Sequence, residues 1–267
     1  MKKIVLILII SFFSTMMFAQ RIEISEYELQ NKLDSVLIEG NLLYHFEKAA
    51  RTASDFAVAS KIIKKDYSDY IVYPDGDNIK VIFFDKKSGN CLAEYTFLND
   101  FSKPDYSKTE KRPLTDQEKN QIEVKNSIIT SIADVKYGVT VFKDYKPRYI
   151  LFPFSQGYKM YIINETSDKE DIPFGNDFLF VTNEKGEITG WQKFHSRAIP
   201  ADASYDEDKV TEISHSHIKT TPLITATDIC IFMLYAPTFK VESFTIYSQA
   251  IGKYMEYNMK ENKIYVK

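Results

Sequence analysis

The run HSHIKTTPLITATD carries His215 and His217 two residues apart, with Asp228 after a further ten. On an extended strand, residues i and i+2 point to the same side, so the two imidazoles face one place. Asp228 falls in the first turn of a helix opened by Thr225, from which its carboxylate can reach that place too. Two imidazoles and one carboxylate form a zinc ligand set with a fourth position left for water, the arrangement of a catalytic metal. The whole chain has four histidines, so two at this spacing are a concentrated signal. Each residue taken singly also has an ordinary explanation. An HxH pair can lie on a solvated strand edge, and an aspartate can place negative charge at a helix N-terminus.

Taken jointly, these residues resemble the JAMM (MPN-type) zinc metallopeptidases. That family has His-x-His, ten residues, then Asp, with a serine three residues before the Asp; here Thr225 stands at the serine position. The resemblance covers roughly residues 165–240. It implies Zn2+ held by His215, His217 and Asp228, and Thr225 donating to the oxyanion. It also implies an upstream carboxylate that takes a proton from the metal-bound water. Ile218 replaces the usual proline, and the usual glutamate has no clear counterpart. The run EDIPFGNDF offers Asp177 as the first choice for that proton acceptor and Glu170 as the second. The implied activity is zinc-dependent hydrolysis of a peptide or isopeptide amide bond, with a peptide or protein substrate. The alternative is a non-catalytic JAMM-like binding or interaction protein, with or without a structural metal. The order PFGNDF, GWQKFH, HSH, TDIC also resembles exported proteins of Bacteroidetes, a likeness that carries no activity with it.

Two histidines remain. His195 ends an extended run after Trp191 and reads first as a histidine bonding a loop carbonyl. As a fourth ligand it would close the site and make it structural, and as an outer partner it would orient a ligand imidazole. His45, between Leu43 and Phe46 on an early helix, reads as packing or surface. Cys91 and Cys230 are too few for a disulfide framework and read as two separate buried thiols, with a bridge between them as the other possibility.

The elements that must position these groups follow from periodicity. Residues 24–63 have helical spacing in two apolar stripes that break near Gly40. YIVYPDGDNIKVIFFDKKSGNCLAEYTF reads as an antiparallel meander with turns at Asp75-Gly76 and Gly89-Asn90. Residues 99–113 read as a surface loop. Thr115 and Glu118 make a capping box for a helix reaching about Val135. Five strand-like runs follow (YILFPF, YKMYII, DFLFVT, EITGWQKF and KVTEISHSH), then the helix after Thr225 and three closing runs. The class is α+β: N-terminal helices with an antiparallel meander, then a mixed sheet with a helix following the HxH strand. A division near residue 140 separates a helical and meander region, 20–140, from the JAMM-like metal-binding region, 141–267.

Residues 1–19 have the charge, apolar run and Phe18-Ala19-Gln20 junction of a cleaved secretory signal peptide, an uncleaved anchor being the other reading. Export across the inner membrane to the periplasm or beyond is therefore expected. About 248 residues remain, enough for one large domain or two small ones. A net charge of −3 and lysine clusters without aromatic platforms disfavour nucleic acid as a partner. No later segment reaches transmembrane length, so no membrane partner is expected once the signal is removed.

Overall fold

The computed structural model describes residues 21–63, 68–166, 171–202 and 213–267. The signal-peptide residues and Glu170 lie outside them. The architecture is α+β, with mostly antiparallel sheets and, among the described residues, three α-helices. None of these helices is long and apolar enough to cross a membrane.

Helix α1 (Glu26–Ala59) opens on Ser25, whose hydroxyl accepts from the Glu28 amide, with Glu26 and Glu28 adding negative charge to the first turn. The two apolar stripes belong to one continuous helix of 34 residues. Gly40 is buried in it and marks a crossing. A Cβ there would lie 2.8 Å from Ile229 Cβ, so its absence lets the later helix α3 (Ala226–Phe239) approach. The break in the stripe records a neighbour rather than a helix end.

The meander is as the sequence indicates. Strands β1 (Ser68–Asp75), β2 (Asn78–Asp85) and β3 (Asn90–Phe97) pair antiparallel, with Gly76 and Gly89 at φ 61° and 65° in the turns. The expected surface loop contributes two short strands on β3, β4 (Tyr106–Lys108) and β5 (Arg112–Pro113). Helix α2 (Asp116–Ser131) has its capping box and ends before Val135–Tyr137, a single 3-10 turn.

Strands β6 (Tyr145–Phe154), β7 (Gly157–Thr166), β9 (Phe178–Thr182) and β10 (Ile188–Lys193) form an antiparallel sheet in the order β10-β9-β7-β6. A two-stranded ribbon, β8 (Asp171–Gly175) with β11 (Ala198–Asp202), pairs Pro173 opposite Pro200. A proline argues against a central strand, so these two runs do not read as strands, and each proline is tolerated because the ribbon leaves a free edge. The chain then passes β12 (Ile213–His217), α3 and β13 (Ser243–Ser248). β12 and β13 are parallel neighbours joined by the helix, and β14 (Lys253–Asn258) and β15 (Lys263–Val266) extend the sheet antiparallel.

One hydrophobic cluster runs from Leu29 and Leu43 on α1 through Tyr161 and Phe174 to Ile229, Phe232, Phe244 and Ile264. It draws on both sides of residue 140. Burying each large aliphatic or aromatic side chain contributes about 1.5–3 kcal/mol, so α1 is tied firmly to the βαβ unit that carries the HxH strand. Cys91 and Cys230 are both buried free thiols.

Candidate metal centre

His215 and His217 project from the same face of β12 onto the N-terminus of α3, as their spacing requires. Phe174 and Phe244 pack beside the His215 ring, with centroids 5.2 and 6.2 Å away. Thr225 caps α3 and also sets Asp228. Its hydroxyl accepts from the Asp228 amide at 3.1 Å, and its own amide and hydroxyl donate to Asp228 Oδ2 at 2.9 and 2.7 Å. Oδ2 is thereby occupied. Oδ1 is buried with no hydrogen-bond partner, and it lies 3.5 Å from His215 Nε2.

His195 joins the same place from a different part of the fold. It sits on the short connection from β10 to β11, where the chain leaves one sheet for another. Its Nε2 lies 3.0 Å from His217 Nε2 and 3.6 Å from Asp228 Oδ1, while His215 Nε2 is also 3.0 Å from His217 Nε2. The ligand atoms of His195, His215, His217 and Asp228 all lie within 4.8 Å of one another, and these side chains are almost fully withdrawn from solvent.

The outer hydrogen bonds set the proton positions. His195 Nδ1 faces Asp177 Oδ1 at 2.7 Å, and His217 Nδ1 faces the Leu223 carbonyl at 2.7 Å. Both oxygens are acceptors, so each Nδ1 carries the proton and each Nε2 presents a lone pair. These two Nε2 atoms share one buried place with His215 Nε2 and a bare carboxylate oxygen, while His215 Nδ1 is buried with no hydrogen-bond partner to fix its proton. One proton bridges a single pair of them and leaves the rest facing one another. A divalent cation satisfies all four at once. Neighbouring donors of a tetrahedral zinc site, at bond lengths near 2.0–2.1 Å, are about 3.3 Å apart; the His195–His217, His215–His217, His195–Asp228 and His215–Asp228 separations run from 3.0 to 3.6 Å, and all the donors lie within 4.8 Å of one another. The donor set of three nitrogens and one oxygen suits zinc and its borderline neighbours rather than calcium or magnesium.

The electrostatics agree. Burial alone would lower the pKa of His195, but the carboxylates of Asp177 and Asp228 raise it to about 9. Burial likewise would raise that of Asp228, yet the imidazoles of His195, His215 and His217 hold it well below the usual carboxylate range. Burial dominates at His215 and lowers it. Without metal, the positive charge beside Asp228 sits on His195, and a bound cation would take its place.

Asp177 stands behind the His195 ring. One of its oxygens receives that ring, and the other accepts from the Thr227 hydroxyl in a short hydrogen bond. Thr225 serves as helix cap and holder of Asp228. His45 stacks on Phe101 with centroids 4.7 Å apart, the packing role its neighbours indicate. Thr227 and the Leu223 carbonyl carry no sequence signal, because each matters only through a partner brought close by the fold. A cleft of about 340 Å3 borders His195 and His217 and includes Arg197 and Ile218 on its walls. No family model, curated protein or solved structure matches this chain, so the reading of the centre rests on its own geometry.

Proposed function

We propose that this is an exported, non-catalytic binding protein built around a structural zinc ion held by His195, His215, His217 and Asp228. The carrying observation is that four buried donors converge, with His195 supplying the fourth. A hydrolytic centre keeps that position for water, whereas four protein ligands close it. The JAMM-like spacing supports the first three ligands, and His195 is the departure that turns an open site into a closed one. Asp177 then orients and strengthens His195 as a ligand, in the way outer carboxylates do, instead of taking a proton from water. Bound zinc would supply a fixed crosslink between the β10–β11 connection and the β12–α3 unit. Residues 1–19 support export.

The second reading is the zinc hydrolase of a peptide or isopeptide bond, with Thr225 at the oxyanion. The cleft beside His195 and His217 favours it, since a substrate could approach there. Metal analysis together with peptide and isopeptide cleavage assays separates the two. The closed centre predicts one zinc per chain without turnover, and His195→Ala should lose metal instead of gaining activity. Zinc-dependent cleavage by the native protein would reject the structural reading.

A further inference from the structure

A second cleft, of about 410 Å3, lies between α1, β9 and the start of α3 and shares Phe194 with the first. Its walls are tied to the metal ligands. Phe194 is the chain neighbour of His195; the Leu223 carbonyl accepts from His217; and Thr225 holds Asp228. Four ligands drawn to one ion would therefore fix how far apart the Phe194 wall and the Leu223 wall stand.

The lining sets apolar side chains, Val36, Leu179, Phe194 and Leu223, beside polar ones such as Gln192 and Thr221. Its two charged side chains, Lys32 and Glu39, are engaged differently. Glu39 also lines the cleft, but its carboxylate is paired with Lys159 through a short contact. Lys32 stands on the wall with only a solvent-exposed contact to Glu28 at 3.5 Å, which screening makes weak. Thr221 in the wall has a buried hydroxyl without a partner. An apolar body with one anionic head matches this surface, the body against the four hydrophobic side chains and the head toward Lys32.

We propose that this cleft binds a small amphipathic anion, of the carboxylate or sulfonate class, and that the metal centre holds its walls at binding distance. The second half of the proposal rests on the closed-centre reading. The probes are 1-anilinonaphthalene-8-sulfonate and its uncharged counterpart N-phenyl-1-naphthylamine, titrated by fluorescence into the full mature chain.

The native protein should bind one sulfonate probe more tightly than the neutral one. Lys32→Ala should weaken the sulfonate about two- to fivefold and leave the neutral probe unchanged. Val36→Trp, which fills the cleft away from the ligands, should weaken both by roughly tenfold or more with metal content kept. Val36→Phe serves if the larger ring upsets folding, as read by circular dichroism. Sulfonate binding that ignores the filled cleft, or a neutral probe bound equally well, overturns the proposal. Chelation should abolish one-site binding and added zinc should restore it. If chelation has no effect while Val36→Trp does, the link to the metal falls and the cleft stands. A native protein without metal would instead sink the centre itself.

Discussion

Asp177 is the residue on which the two functional readings part. Its oxygens are taken by the His195 ring and the Thr227 hydroxyl, and on the proposed closed centre that makes it an orienting partner of His195. Asp177→Asn should weaken zinc binding about 10- to 100-fold and keep the fold, which competition with a chromophoric chelator will measure. A pH series tests the ligands themselves. With metal removed, His195 titrates at about 9 against an ordinary 6.5. Its protonation then stabilises the fold fully below 6.5, and that contribution is lost as pH rises through about 9. The loaded protein should do the reverse, losing metal and stability as acid protonates the imidazoles. Denaturant melts of both forms between pH 6 and pH 10 check the opposite slopes. Three of the four candidate ligands are legible because local spacing carries them: HxH on a strand, then Asp at a capped helix start. His195 was legible only as an alternative. Nothing in its own neighbourhood ties it to residues some twenty positions later; the sheet switch after β10 does that.

At the level of elements, the crossing of α1 and α3 positions Asp228. Gly40→Ala would put a methyl group 2.8 and 2.9 Å from Ile229 Cβ and Cγ2 and 3.2 Å from the Ala226 carbonyl. Alanine is the better helix former by about 1 kcal/mol, but the contact is with atoms close to the backbone, where relief requires the helices to part. A net loss of about 1–2 kcal/mol follows, to be measured by chemical denaturation and accompanied by weaker zinc binding. A second junction joins the meander to α2. Glu118 accepts from Arg112 at 2.7 Å, Tyr73 at 3.0 Å and the Thr115 amide at 2.8 Å. Burial would raise its pKa, but these donors, Arg112 first, hold it below the usual range. Its contribution is present above the ordinary carboxylate value and lost as pH falls through the depressed one. Glu118→Gln should cost about 3 kcal/mol at neutral pH and flatten the acid limb of the stability curve. Most elements could be read from periodicity and turn residues, as in the meander and the Thr115–Glu118 capping box. The β8–β11 ribbon could not, because each strand carries a proline that reads as a break until the two are seen facing each other.

For the whole molecule, the largest hydrophobic cluster is threaded by α1, and the proposed metal would fasten the β10–β11 connection to the βαβ unit that follows. An ion that binds only the folded chain adds stability by mass action, about 2.7 kcal/mol at a hundredfold excess over its dissociation constant. For a chain of this size that corresponds to a rise in Tm of about 5–10 °C, which scanning calorimetry with and without chelator will register. On the proposed reading, four side chains, His195 among them, close the centre. X-ray absorption at the zinc edge of the purified mature protein tests it most directly, with His195→Ala measured beside it. The closed centre predicts four nitrogen or oxygen donors with the multiple scattering of three imidazoles, and loss of one imidazole or of the metal in the variant. A native spectrum with two imidazoles and a water, unchanged in His195→Ala, would contradict it.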